Sequence, residues 1–265
     1  MEIMPTFFHF KECSSTMEEA KKYILSLKGT NTVGQKSCFV FVSDHQTSGR
    51  GRFDTRKWSS PPNMSLLVTI LLPPDLIGIK PALFPLYAGY ILAKVLEDYA
   101  VMPKIKWPND LLCNGKKISG ILCEQLLVDE INFISCGIGL NLVQTEFAGA
   151  DFLTDKNRPK FKPTSLFMET GKRVSSQEIL NHILKLLLTP ASINWLEDLT
   201  AYLYGINCNV EFATGLCDEA RKANIIEGKY VGISSSGGIL IEENSLGCKN
   251  PTVTEYSSGE LVKIL

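Results

Sequence analysis

Residues 104–142 constrain the fold more than any other stretch. Three β-rich segments, at 104–107, 117–128 and 132–142, follow one another with little between them but Asn114-Gly115 and the polar Asp129-Glu130 turn. Asn-Gly is a strong hairpin signal because both residues accept the positive φ of a tight two-residue turn. Further β segments are read at 7–10, 38–42 and 65–72, the last stopped by Pro73-Pro74. Ser15 with Glu18 three residues later reads as a capping box opening a helix to about residue 27. A second helix is expected over 82–99, where Leu83, Leu86, Tyr87, Tyr90, Ile91 and Val95 recur at helical spacing and Pro85 falls in the tolerant first turn. Helices are also read at 175–188 and 193–204, with Pro190 as the break. Residues 145–163 are polar and carry two prolines, which suggests an excursion.

Strands grouped in hairpins, with helices between the groups, indicate an α+β fold and not a doubly wound parallel sheet. From residue 205 the texture changes to short strands at 209–213, 223–234, 238–242 and 251–264, with a tight turn at Ser235-Ser236-Gly237-Gly238. Closely spaced strands of this kind predict a small barrel-like second domain. The expected division is 1–204 and 205–265.

Composition excludes several function classes. The 27 Lys and Arg are balanced by 28 Asp and Glu, so broad nucleic-acid binding is disfavoured. No basic segment followed by an apolar run opens the chain, and no apolar run nears the ~18 residues of a membrane span. A cytoplasmic location without membrane attachment is expected. The eight cysteines are scattered with no Cys-x-x-Cys pair and read as reduced thiols of the core, and the three histidines lack metal-ligand spacing.

Candidate chemistry gathers in a few motifs. In Gln46–Trp58, Gly49 and Gly51 alternate with Arg50 and Arg52, and Arg56-Lys57-Trp58 follows. Glycine permits close backbone approach, and arginine pairs bidentately with phosphate or carboxylate. The same loop also suits a solvated basic turn or an RNA contact. It is neither a Walker loop nor a dinucleotide loop, since the sixth position of the latter is Asp54. Lys106-Trp107-Pro108-Asn109-Asp110 places a cation, an aromatic ring and a turn after a strand; taken alone, a plain β-turn with a surface lysine accounts for it more simply. Gly120, within Lys117–Glu124, and the pair Gly137 and Gly139 bare a strand face, either for a ligand or for a neighbouring helix. Ser14-Ser15-Thr16 is explained by helix capping, though helix starts also hold oxygen-rich ligands.

In this order and spacing the pieces resemble biotin–protein ligase (holocarboxylase synthetase). The resemblance rests on Ser15-Thr16, Gln46-x-x-Gly49-Arg50-Gly51-Arg52, Arg56-Lys57-Trp58, Lys106–Asp110, Lys117-Ile118-Ser119-Gly120-Ile121-Leu122-x-Glu124 and Gly137-x-Gly139-x-Asn141. It implies a class II synthetase-like catalytic domain, a central mixed and antiparallel sheet flanked by helices, with a small C-terminal SH3-like β-barrel. The implied reaction joins biotin to ATP as biotinyl-5′-AMP, with Mg2+ accompanying the nucleotide. The acyl group then passes to a lysine of a biotin carboxyl carrier domain of a biotin-dependent carboxylase.

By position, the resemblance implies Lys106, Arg50 and Arg52 as the catalytic cations. Biotin would be held by Ser15, Thr16, Met17, Gln46, Gly49, Arg50, Gly51, Arg52, Lys106, Trp107, Gly120, Gly137 and Gly139. The nucleotide would meet Arg52, Arg56, Trp58, Lys106 and Asn141. No side-chain metal site is implied. Two departures stand out: the loop carries Phe53-Asp54-Thr55 where the family commonly has two residues, and Met17 stands where asparagine is common. Some relatives carry a DNA-binding winged helix before the first motif; here that motif arrives by residue 15, so no nucleic-acid role is expected. A lipoate or octanoate transferase and a non-catalytic binding module are the competing readings. Either a monomer or a homodimer fits.

Overall fold

Alternation along two strands decides how the layers stack. The computed structural model describes residues 3–30, 32–53, 56–147, 161–215, 224–243 and 251–265. The first part of the chain supplies β1 (Thr6–Phe10), α1 (Thr16–Ser26), β2 (Phe39–Ser43), the two-residue β3 (Gly49–Arg50) and β4 (Lys57–Trp58), and β5 (Ser65–Leu72). Helix α2 (Phe84–Glu97) then leads to β6 (Lys104–Lys106), β7 (Asp110–Cys113), β8 (Lys116–Val128) and β9 (Ile131–Asn141). All eight residues of β5 are buried, as expected for a strand covered on both faces. Leu66, Val68, Ile70 and Leu72 join Ile134, Cys136, Ile138 and Leu140 of β9 in the core beneath α2. Leu71 and Phe133 face the other way, into a smaller cluster closed by Ala20 and Ile24 of α1.

The main sheet has seven strands in the order β1-β2-β5-β9-β8-β7-β6. Only β1 and β2 run parallel, and α1 is their crossover; the remaining neighbours are antiparallel. The sheet is therefore mixed, as expected. The 104–142 region holds four strands instead of the three read from sequence, because Pro108-Asn109 turns the chain once more and adds β7. Asn114 and Gly115 both have positive φ, as do Asp129 and Glu130, so both later hairpins close through mirror-image turns.

Helices α3 (Leu166–Thr170), α4 (Ser176–Leu187) and α5 (Trp195–Leu199) follow. The helix expected over 193–204 gives way to a 3-10 turn at Thr200–Tyr202 after only five residues. The excursion at 145–163 lies largely outside the described residues, as do Asp54, Thr55, Cys217 and Cys248. The six cysteines among the described residues are free thiols.

The C-terminal strands are β10 (Asn209–Thr214), β11 (Ile225–Ile233), β12 (Ile239–Glu243), β13 (Thr252–Tyr256) and β14 (Gly259–Ile264). They form an antiparallel sheet in the order β13-β12-β11-β10-β14. β13 and β14 are the two edges, yet only Ser257-Ser258 separates them in the chain. In a flat sheet those edges would stand about 19 Å apart, four strand spacings. Two residues cannot span that, so the sheet coils until its edges nearly meet. This is a barrel-like sheet with SH3-like strand order, without a β13–β14 ladder among the described residues.

Candidate active site

Register brings the motifs to one face of the main sheet. Lys106 pairs with Asp110, Asp110 with Gly120, and Gly120 with Gly139, forming a row across β6, β7, β8 and β9. The next row is Thr69, Gly137 and Leu122. Ile105, Ile121 and Ile138 belong to the core on the opposite face, so alternation turns Lys106 and the glycines toward the side of α1.

Helix α1 starts at the edge of this face. Ser15 caps it, accepting from the Met17 N–H at 3.3 Å. The expected capping box does not form, because the Glu18 carboxylate is 2.9 Å from Arg50 Nη2 instead. The 45–48 segment runs beside 13–14 through backbone bonds from Thr47 N to Cys13 O and from Ser48 N to Ser14 O. That pairing delivers Gln46 to the helix start, where its Oε1 accepts from Thr16 N at 2.7 Å and Thr16 Oγ1 at 3.1 Å. Thr69 Oγ1 donates to Thr16 Oγ1 beneath.

The arginine loop is a hairpin over the sheet, Gly49 opposite Trp58 and Arg50 opposite Lys57. Gly49 is required by this pairing: a Cβ there would collide with the Trp58 carbonyl. The Trp58 ring lies on Gly139 and Gly120, where Cβ atoms would fall 2.5 Å and 3.3 Å from indole carbons. Met17 Sδ would be 2.8 Å from a Cβ on Gly137. The room that the glycines are expected to leave for biotin is thus taken here by Trp58 and Met17.

A cavity of about 630 Å³ opens between loop, helix and sheet, well within the size of small-molecule sites. Of the residues expected at the site, Ser15, Thr16, Met17, Gln46, Arg50, Gly51, Arg52, Arg56, Trp58, Lys106, Trp107, Gly120, Gly137 and Gly139 line it. Gly49 and Asn141 do not. Asn141 is buried in a polar network, its Nδ2 donating to Thr164 O and its Oδ1 accepting from Ser65 Oγ and Gln144 Nε2. Trp107 is buried and its Nε1 donates to Gly237 O in the turn between β11 and β12.

The cations are held by specific acceptors. Arg50 Nη2 also lies 3.2 Å from Glu124 Oε1, so its guanidinium sits between Glu18 and Glu124. Arg52 Nη2 donates to Gly259 O at 2.7 Å. Phe53 is covered by both neighbouring guanidinium groups, Arg52 at 4.7 Å and Arg56 at 4.8 Å, an arrangement that favours cation–π attraction.

Glu260 and Lys117 also line the cavity and are not among the expected site residues. Glu260 of β14 reaches into the cavity, 3.0 Å from Lys106 Nζ and 2.6 Å from Arg56 Nη2. Burial alone would raise its carboxyl, but Lys106 and Arg56 beside it hold it well below the usual carboxylate range. A lone acid between Gly259 and the apolar Leu261 is the one signal the sequence offers for it. Lys117 is the other: its Nζ is 2.7 Å from Asp110 Oδ1 and 6.0 Å from the Trp58 ring centre.

The cavity therefore joins two unlike ends. Ser15, Thr16 and Gln46 make a neutral, hydrogen-bonding end. Lys106, Lys117, Arg52 and Arg56 make a cationic one, with Asp110 and Glu260 as internal counter-ions. Such a site suits a molecule with a neutral polar head and an anionic tail, beside a second anion.

Comparison with known proteins points the same way. Residues 11–141 match the profile of the Biotin/lipoate A/B protein ligase family. The biotin--[acetyl-CoA-carboxylase] ligase of Paracoccus denitrificans is 32% identical over 244 residues, which cover 86% of this chain and 90% of that protein. The bifunctional ligase/repressor BirA of Bacillus subtilis is also 32% identical, over 77% of this chain but only 62% of its own length. Among solved structures, the biotin protein ligase of Aquifex aeolicus in complex with biotin and ATP superposes with a TM-score of 0.69 at 29% identity, covering 97% of each chain. With the Paracoccus relative matched over nearly its full length and the Aquifex fold reproduced end to end, the chain belongs to the biotin/lipoate A/B protein ligase family.

Proposed function

We propose that this chain is an ATP-dependent biotin–protein ligase. The observation that carries the reading is one cavity lined both by the neutral polar Ser15, Thr16 and Gln46 and by the cations Lys106, Lys117, Arg52 and Arg56. A ureido ring is neutral and offers both donors and an acceptor, matching the first set. Its carboxylate tail and the α-phosphate of ATP repel each other, and the cations offset that repulsion.

A carboxylate oxygen of biotin attacks the α-phosphorus, the bond to the bridging oxygen breaks, and pyrophosphate leaves. In the second step the unprotonated amine of a carrier lysine attacks the acyl carbon of biotinyl-5′-AMP, AMP leaves, and the nitrogen releases its extra proton to solvent. No protein nucleophile is needed. Lys106 Nζ and Lys117 Nζ both lie beside the row that carries Asp110, held by Glu260 and Asp110, and serve the reacting anions by exchanging those partners. Arg52 and Arg56 close over them, and the loop excludes water from the adenylate. Asp110 orients Lys117 through its 2.7 Å contact. Glu260 occupies the place of an anion between Lys106 and Arg56, so phosphate must compete with it. Arg50 engages a carboxylate only when its pairs with Glu18 and Glu124 open.

Magnesium would travel with ATP. Among the described residues no three His, Cys, Asp or Glu side chains converge on one point, and both lining acids are engaged by cations. The described residues offer no cradle for the ion. The carrier would be a biotin carboxyl carrier domain. The loop arginines are paired with Glu18, Glu124, the Gly259 carbonyl and Glu260.

The test is to incubate the purified chain with biotin, ATP and such a carrier domain. Covalent biotin on the carrier, lost when its acceptor lysine is replaced by arginine, is expected. An unmodified carrier, with biotin and ATP both bound, would restrict the reading to activation alone.

A further inference from the structure

The end of the cavity near Ser15, Thr16 and Gln46 has a wall that those polar groups do not supply. Met17, second residue of α1, is buried and lines the cavity beside Thr16. Its thioether rests on Gly137, whose missing Cβ would stand 2.8 Å from Sδ and 3.0 Å from Cγ. Gly137 lies between Thr69 and Leu122 in its row, so the absent side chain leaves a notch with walls on either side. Met17 fills that notch. An unbranched thioether is the side chain best able to shape itself to an irregular gap, and glycine is the one residue that leaves the gap open to it.

We infer that Met17 and Gly137 form a matched pair that sets the width of the ring-binding end, and so selects the size of the acid's head group. This deepens the biotin reading above and rests on it. Ser15, Thr16 and Gln46 take the ureido edge, while the tail runs to the lysines. The flank of the bicycle is left to meet Met17. A shorter residue at 17 opens the notch to a head group enlarged on that flank. A Cβ at 137 does the reverse, driving the thioether into the space the ring would use.

The experiment is a double-mutant cycle on Met17→Ala and Gly137→Ala, read by calorimetric titration with biotin and with biotin sulfone, whose ring sulfur carries two added oxygens. Thermal midpoints without ligand are read in parallel. Met17→Ala is expected to narrow the preference for biotin over the sulfone tenfold or more. Gly137→Ala is expected to weaken biotin binding tenfold or more and to lower the midpoint. In the double variant both losses of Gly137→Ala are recovered, because the small residue at 17 makes room for the new methyl group. Additive effects, or an unchanged preference in Met17→Ala, would overturn the pairing. If Gly137→Ala does not fold, the double variant still decides: one that also fails to fold speaks against the pair. Failure of the unaltered chain to bind biotin would overturn the functional reading and this one with it, whereas biotin binding with an additive cycle removes only this one.

Discussion

Replacing Glu260 by glutamine keeps the side chain's shape and removes the charge that β14 inserts between Lys106 and Arg56. The Lys106 side chain is 5% exposed and that of Glu260 16%, whereas that of Arg56 is 41% exposed. At 3.0 Å, and with an effective dielectric of ~20, the Lys106 attraction is about 5 kcal/mol before desolvation is counted. Removing one partner of a buried pair costs about 3–5 kcal/mol, because the other charge stays buried without compensation. Arg56 adds at most ~1 kcal/mol, since a half-exposed guanidinium can turn to water. Glu260→Gln should therefore lose about 3 kcal/mol of unfolding free energy in urea at pH 7. Lys106→Met should restore much of that loss when combined with it, giving a coupling of at least ~2 kcal/mol.

The pH dependence has a definite sign. A carboxylate held low in the folded state stabilises above its unfolded pKa, and that contribution disappears as pH falls through the folded value. The difference between the two proteins should thus be flat from pH 6 to 8 and shrink only in acid. A loss under ~1 kcal/mol, or a Lys106→Met effect identical in both backgrounds, would refute the reasoning.

Three other changes probe the site and its frame. Gly139→Ala places a methyl group inside the Trp58 ring contact, so the loop should lift; biotin affinity should fall at least tenfold in calorimetry, and unchanged affinity would sever loop from sheet. Lys117→Ala should slow single-turnover adenylate formation roughly 10²–10³-fold, the range for removing one transition-state donor, with the circular dichroism preserved; an undiminished rate removes Lys117 from the chemistry. Glu130 has φ 66° in its turn, and Glu130→Gly should gain about 1 kcal/mol in urea unfolding by relieving that conformation; a loss would mean that the side chain contributes more than the backbone costs.

Much of this arrangement is legible in the sequence. Asn114-Gly115 marks one hairpin, and the apolar run ending at Pro73-Pro74 bounds β5 correctly. The strand β7 escapes notice because Leu111, Leu112 and Cys113 are too short a run to separate from the turn that precedes them. The helix after Ile193 reads too long because its apolar spacing continues while the backbone tightens into a 3-10 turn. At the site, composition announces cations and glycines but not what they face. Gly120 and Gly139 receive Trp58, and Gly137 receives Met17; such pairings depend on register between distant segments. Glu260 carries only a faint local signal for the same reason, 154 residues from the Lys106 it neutralises. Local pattern names elements well, whereas counter-ions brought together from distant strands need the packing.

ATP–pyrophosphate exchange, with biotin, lipoate and octanoate each offered alone, is the most direct test of the account. It reads adenylate formation without any carrier protein and depends on both ends of the cavity at once. Biotin-dependent exchange that lipoate and octanoate do not support is the predicted result. Exchange with lipoate or octanoate but not biotin, or with no acid at all, would contradict it.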